Sequence, residues 1–201
     1  KGSKDTPIIE NVQALDMSLV RGDSGEFVFH HAYGSDMKTS DFQPMSDTLA
    51  PNAKLSIGSE GTSSVGALPF FTMEAAGEGI IAAVGWSGSW KAEFSRDAGK
   101  AVSMKAGMNS THLLLHTGER IRTPRILVMH FKGDWISGQN VWRQLLLEHY
   151  MPRPGGKALV GPLTDGNWGA MTADEQIQKI NWWHDNKLPL DCYWIDAGWS
   201  G

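Results

Sequence analysis

The hydrophobic period of this chain changes twice along its 201 residues, and that change limits the possible folds more than any other feature. From about Ile8 to Phe131, short apolar runs broken by Gly, Asn, Asp and Pro fit period two better than period 3.6, which is the pattern of antiparallel strands. The clearest runs are Glu26 to His30, Leu68 to Met73, Gly79 to Trp86, Trp90 to Phe94, Ala101 to Ala106, Thr111 to His116 and Arg125 to Phe131. Turn signals such as Ala76-Gly77, Ser87-Gly88-Ser89 and Asp97-Ala98-Gly99 separate them. Strands at this spacing predict an antiparallel β-sandwich over residues 1–133.

Near Ser137 the period lengthens. Val141, Trp142, Leu145, Leu146 and His149 share one helical face, Ser137 is the expected N-cap, and Met151-Pro152-Arg153-Pro154-Gly155-Gly156 stops the helix. Residues 134–156 are therefore expected to be a linking helix with a Pro/Gly linker. Beyond it, Lys157 to Gly161 reads as a short strand. Thr172-Ala173-Asp174-Glu175 has the spacing of a capping box, and Ile177, Ile180 and Trp183 continue a helix to about Asn186. Cys192 to Ile195 is a second apolar strand. Strand, helix and strand within about 40 residues make a βαβ unit, so residues 157–201 are expected to be an incomplete α/β segment, the first βαβ of a (β/α)8 barrel. A whole barrel takes about 250 residues, so the chain is read as a piece of something longer.

Composition removes several functional classes. The 18 Lys plus Arg face 22 Asp plus Glu with no basic cluster, which argues against nucleic acid or an anionic membrane surface as partner. No apolar stretch approaches about 18 residues and the first twenty lack the regions of a signal peptide, which leaves the compartment open. The lone Cys192 has no disulfide partner and no zinc-ligand neighbours. His30-His31 and the pair His112 and His116 have no carboxylate or Cys beside them in sequence, and Asp36, Asp41 and Asp47 lack the order of a calcium loop. No metal or cofactor is expected.

In a βαβ unit, ligands meet the carboxyl ends of the strands, here Asn167-Trp168 and Asp196-Ala197-Gly198-Trp199. Asp196 is the sharpest candidate, because a carboxylate at a barrel mouth accepts hydrogen bonds from two sugar hydroxyls at once; its plainer role would be to cap a turn. Trp168 and Trp199 either wall a sugar subsite or fill a core. Trp86-Ser87-Gly88-Ser89-Trp90 either carries an aromatic toward a barrel mouth, Trp86 being the candidate, or is a hairpin with core aromatics.

Taken in order, these segments resemble the melibiase-type α-galactosidases of glycoside hydrolase clan D. Trp86 to Trp90 resembles that family's aromatic-Ser-Gly-Asn-aromatic turn, and Ala106-Gly107-Met108-Asn109 its Gly-Ile-Asn strand end. Gly118-Glu119, Thr123-Pro124 and the run Arg125 to Met129 are similar to the close of its N-terminal β-supersandwich. Trp142 to Arg153 resembles its linking helix, Asn167-Trp168 the end of its first barrel strand, and Ile195-Asp196-Ala197-Gly198-Trp199 the end of its second. The resemblance implies a retaining glycoside hydrolase whose two catalytic carboxylates, about 5 Å apart, lie on later barrel strands outside this chain. Asn167, Trp168, Asp196 and Trp199 would then bind an α-linked substrate. Where the family has a second Asp, this chain has Ala197, and losing a charge-assisted acceptor costs about 1.5–3 kcal/mol, enough to change which sugar is preferred.

The competing expectation is a non-catalytic β-sandwich that binds carbohydrate or a protein partner. A complete small enzyme is disfavoured, because no Ser/His/Asp, metal or phosphate-loop constellation is evident in the sequence. Two parallel strands and one helix cannot close a barrel, so the C-terminal segment is expected to be covered by further chain, to be labile, or to associate into homo-oligomers.

Overall fold

A computed structural model describes residues 3–22, 25–168 and 171–198. Contacts divide the chain into two compact units, Lys1–Leu146 and Leu147–Gly201.

The first unit is a two-sheet sandwich. Its strands are β1 (Ile9–Glu10), β2 (Gln13–Val20), β3 (Phe27–Ala32), β4 (Pro44–Leu49), β5 (Lys54–Ser59), β6 (Phe70–Ala75), β7 (Glu78–Gly85), β8 (Trp90–Arg96), β9 (Ala101–Met108), β10 (His112–Leu113) and β11 (Arg125–Lys132). One sheet has the order β11-β7-β6-β3-β4 and the other β2-β9-β8-β5, while β1 and β10 form a separate two-stranded ribbon. All of these pairings are antiparallel. Alternation along each strand drives one set of side chains into the space between the sheets: Phe27, Phe29, Phe71 and Met73 from the first, Trp90, Phe94, Val102 and Met104 from the second, all at most 2 % exposed.

Several expected boundaries change. The strands β2, β4 and β5 were not expected, because each mixes its inward apolar residues, such as Leu15, Met17 and Leu19 of β2, with Asp, Ser, Thr or Lys on the other face. Asp47 consequently lies in β4 and not in a polar loop. The expected strand Thr111 to His116 is only His112–Leu113. Trp86 to Trp90 is not a hairpin: β7 and β8 belong to different sheets, so residues 86–89 carry the chain across the sandwich. A true two-residue hairpin is the Ala76-Gly77 turn between β6 and β7, where both residues have positive φ (54° and 75°), as a primed turn demands.

Helix α1 (Trp135–Leu145) packs on the outer face of the five-stranded sheet through Trp142 and Leu145 against Ile81, Phe131 and Phe70. Its N-cap is Asp134 and not Ser137. The Asp134 carboxylate accepts from the Ser137 backbone N–H at 2.9 Å and from its hydroxyl at 2.7 Å, so Ser137 sits inside the first turn. Val141, expected on the packed face, is 45 % exposed. A π-helical turn, Leu146–Tyr150, continues the helix. Among the described residues no helix is long and apolar enough to cross a membrane.

The second unit contains β12 (Thr164–Asn167), α2 (Ala173–Asp185) and β13 (Cys192–Ile195), with the two strands parallel. The expected strand at Lys157 to Gly161 is not formed. Pairing starts at Thr164, opposite Cys192, the first residue of β13. Thr172 and Glu175 form the capping box reciprocally at the start of α2. The helix then docks on one face of the strand pair. Trp183 Nε1 donates to Asp165 Oδ2 at 2.7 Å, Lys179 Nζ lies 3.2 Å from the same carboxylate and donates to Gly166 O at 2.8 Å, and Tyr193 Oη donates to Gln176 at 2.6 Å.

Two outcomes test these anchors. Arg96 on β8 is 6 % exposed and bridges the sheets, donating from Nη1 to Glu26 Oε2 and to the Leu49 carbonyl, each at 2.6 Å. Arg96→Leu leaves that buried carbonyl without its donor and is predicted to cost about 1–3 kcal/mol in chemical denaturation; Glu26→Gln, at a largely exposed carboxylate, costs under about 1 kcal/mol. The Asp165 carboxyl is held below its ordinary range by the Gly166 backbone N–H, with Lys179 and Trp183 adding to the effect against a smaller burial penalty. A lowered folded pKa stabilises fully above the ordinary aspartate range and is lost as the pH falls through the lowered value. The protection of the α2 amides, taken relative to their intrinsic exchange rates at each pH, should therefore fall below about pH 4, and in Asp165→Asn that extra acid sensitivity should be missing while α2 is already less protected at neutral pH.

Candidate functional site

Because α2 covers one face of the β12–β13 pair, strand alternation sorts the expected site residues into two groups. Asp165 and Tyr193 reach α2, so Asn167 and Ile195, two residues further along, lie on the same side. Thr164, Gly166, Cys192 and Trp194 occupy the opposite, open side. Trp168 and Asp196 are the first residues past the ends of the two strands. Asn167 pairs with Ile195 and its carbonyl accepts from the Asp196 backbone N–H at 3.3 Å, so these two residues follow neighbouring strand ends.

Trp168 is 83 % exposed and Trp194 is 52 % exposed, a large aromatic area without cover among the described residues of this unit. Asp196 Oδ1 accepts from the Ala197 backbone N–H at 2.6 Å, a local bond that fixes the carboxylate at the strand end. Gly198 follows with φ 92°. Trp199 lies outside the described residues. Asn167, partly buried, falls on the helix side by strand alternation, and Trp168 and Asp196 each follow directly on the last residue of a strand. Trp194 was passed over in the sequence as one more apolar strand residue.

Trp86 belongs to the sandwich unit, partly buried against its core, and Trp90 is fully buried with its Nε1 donating to the Ser63 carbonyl at 2.7 Å. The outer face of the four-stranded sheet offers no aromatic platform. Register places Ser18, Ser103, Ser95 and Lys54 in one row, and Asp16, Lys105, Glu93 and Ser56 in the next. These histidines find carboxylates from elsewhere in the sequence: His30 meets Glu74 at 3.2 Å and Ser46 at 2.8 Å, His31 meets Asp47 at 2.9 Å, His112 meets Glu10 at 2.6 Å and His116 meets Asp5 at 2.8 Å. Among the described residues no group of three or more His, Cys, Asp or Glu is arranged to hold a metal ion.

Comparison with known proteins adds a family context. No family model matches the chain. It is 25 % identical over 203 residues to the α-galactosidase Mel36A of Lactobacillus acidophilus, covering 96 % of this chain and 27 % of that protein. The solved galactosidase domain of the α-galactosidase-sucrose kinase AgaSK has the same fold over 96 % of this chain and 27 % of its own, with a TM-score of 0.77 at 20 % identity. A variant of the GH36 α-galactosidase AgaA from Geobacillus stearothermophilus, solved in complex with raffinose, matches 92 % of this chain and 26 % of its own with a TM-score of 0.71 at 18 % identity. This chain therefore spans about a quarter of the length of these proteins, and over nearly all of its own length it is similar to the N-terminal portion of GH36 α-galactosidases, the resemblance its motifs carry.

Proposed function

We propose that this chain is the N-terminal part of a larger retaining glycoside hydrolase acting on α-glycosides, with a sandwich in residues 1–133, a linking segment in 134–156 and the start of a (β/α)8 barrel from 157. The observation that carries this reading is the parallel β12–β13 pair with α2 on one face, Trp168 and Asp196 following directly on the carboxyl ends of its strands. Barrel enzymes cover the outer face of each strand with a helix and place their chemistry at the carboxyl ends. The polar, aromatic-free outer face of the four-stranded sheet supports this reading over a sandwich that binds sugar by itself.

In this reading the Asp196 carboxylate accepts hydrogen bonds from sugar hydroxyls and orients the ring, while Trp168 and Trp199 wall the subsite. Asn167, on the helix side, holds the strand end at which they stand. The nucleophile and the acid/base carboxylate, about 5 Å apart as retention requires, are supplied by later strands of the parent protein. One attacks the anomeric carbon as the other protonates the leaving oxygen, and the glycosyl-enzyme is then hydrolysed by a water that the second carboxylate deprotonates. The relative solved with raffinose supports an α-linked galactoside as the first substrate to test. Ala197 removes one acceptor from the sugar's hydroxyls and widens the choice of sugar.

The parent protein is predicted to hydrolyse aryl α-glycosides, and the 201-residue chain alone to be inactive. Asp196→Ala in the parent should lower kcat/KM about 10- to 100-fold, and Ala197→Asp should raise the ratio of kcat/KM for an aryl α-galactoside over an aryl α-glucoside. Turnover by the short chain, or an Asp196→Ala parent with undiminished kcat/KM, would reject the assignment.

A further inference from the structure

On the outer face of the five-stranded sheet, three strands bring together a serine, a histidine and a carboxylate that the glycosidase reading does not use. His30 of β3 is buried, its Nδ1 lies 2.8 Å from Ser46 Oγ on β4 and its Nε2 lies 3.2 Å from Glu74 Oε2 on β6. Strand pairing sets both distances. His30 stands opposite Ser46, and three pairs further on the Tyr33 N–H donates to the Gln43 carbonyl at 3.1 Å. Pair types alternate, so His30 and Ser46 form a pair of the non-hydrogen-bonded kind, whose side chains approach most closely. The same alternation turns the Ser46 backbone N–H away from β3. Glu74 lies diagonally from His30, since Thr72 is opposite His30 and Glu74 is opposite Val28.

The imidazole is held in one orientation. Glu74 Oε2 also accepts from the Trp135 backbone N–H at 3.2 Å, and the Trp135 indole stacks on the His30 ring with centroids 5.0 Å apart and planes 16° apart. A carboxylate accepts only, so the ring proton belongs on Nε2 and the lone pair of Nδ1 faces the Ser46 hydroxyl. Either ring nitrogen can serve as a base, and the bond made by the other decides which one does. Nucleophile, base and orienting carboxylate therefore stand in series within hydrogen-bond reach, the arrangement by which an activated serine is recognised on any fold. Beside them lies a chamber of about 100 Å³ whose walls include Met45, Phe70, Trp135 and Gln139, an apolar space of the size of a short acyl chain.

We propose that Ser46, His30 and Glu74 form a second hydrolytic site, one that cleaves short-chain carboxylic esters. Ser46 Oγ attacks the ester carbonyl as its proton passes to His30 Nδ1. The bond to the alcohol oxygen then breaks, and His30 returns the proton to the leaving alkoxide. Water attacks the acyl-serine in turn, giving a proton to His30 that is handed on to Ser46 Oγ as the carboxylic acid departs. Glu74 keeps its bond to Nε2–H throughout and stabilises the imidazolium. The Ser46 N–H is the donor on hand for the oxyanion, and a single donor suits activated esters better than amides. All of these groups belong to the sandwich unit, so the assignment does not depend on the glycosidase reading.

The experiment uses the intact parent protein with p-nitrophenyl acetate as substrate and a fluorophosphonate as serine-directed label. The parent should release p-nitrophenolate faster than buffer alone, and p-nitrophenyl octanoate should turn over at least about 10-fold more slowly than the acetate. Ser46→Ala and His30→Gln should each lower the rate on the acetate at least about 100-fold, and Glu74→Gln at least about 10-fold. Ser46→Ala should leave the thermal midpoint and any α-glycoside turnover unchanged, and peptide mass spectrometry should find the label on Ser46. Where a variant does not fold, the position of the label in the unmodified parent decides. Acetate hydrolysis no faster than in buffer, hydrolysis undiminished in folded Ser46→Ala, or a label absent from Ser46 overturns the ester-hydrolase assignment and leaves the glycosidase reading untouched.

Discussion

The sandwich depends on one contact between its sheets: Phe94 of β8 stands between Phe29 and Phe71 of the facing sheet. The ring centroids lie 4.3 Å and 5.0 Å apart, and all three side chains are at most 2 % exposed. The T-shaped packing of Phe71 on Phe94 and the tilted approach of Phe29 fix the distance between the sheets as well as burying area, because aromatic rings prefer those arrangements to an eclipsed stack. Around this centre every inner-face residue finds its depth, and Arg96, two residues past Phe94, can reach the Leu49 carbonyl of the other sheet only because that distance is set. A guanidinium buried in this way tolerates little sliding of one sheet over the other. A shift of one residue pair would part it from both of its acceptors.

Legibility in the sequence followed the chemistry of each strand. The strands β6, β7 and β11 were visible because they lie in a sheet covered on both faces, by the second sheet and by α1, and so read as nearly continuous apolar runs. The strands β2, β4 and β5 were hidden for the opposite reason. Each has one solvated face, β4 opens with Pro44 at the sheet edge, and their Asp, Ser and Lys residues read as loop. The sheet assignment of β7 and β8 could not be read from a four-residue connection, since hairpins and crossings between sheets use the same residues. Asp134 was displaced as cap in the sequence reading by Ser137, another good capping residue one turn later.

The strand ends that frame the candidate site were legible, because a βαβ unit announces them: a capping box after the first strand and an apolar run before Asp196 locate them without coordinates. Which side of the strands each residue takes was not legible. That depends on which face α2 covers, and the answer came from Asp165 and Tyr193, whose partners Trp183, Lys179 and Gln176 sit on the helix. The same information moved Asn167 toward the helix. The histidine pairs show a related limit. Their carboxylates are fixed by strand pairing, as Asp47 is brought near His31 by the β3–β4 register, and a scan of sequence neighbours does not reach them.

The short crossing at residues 86–89 has a consequence for how the first unit comes into being. The five-stranded sheet draws its strands from positions 27 to 132 and the four-stranded sheet from positions 13 to 108, so the two are interleaved along the chain and neither is contiguous. Hairpins such as β6–β7 can close locally, but each leaves an apolar face bare until strands from the other sheet arrive. The interior strand β7, moreover, gains its second neighbour only with β11. Assembly is therefore governed by long-range pairing and not by local propensity, the regime in which folding is slow. During synthesis on the ribosome, the unit stays incomplete until residue 132 has emerged.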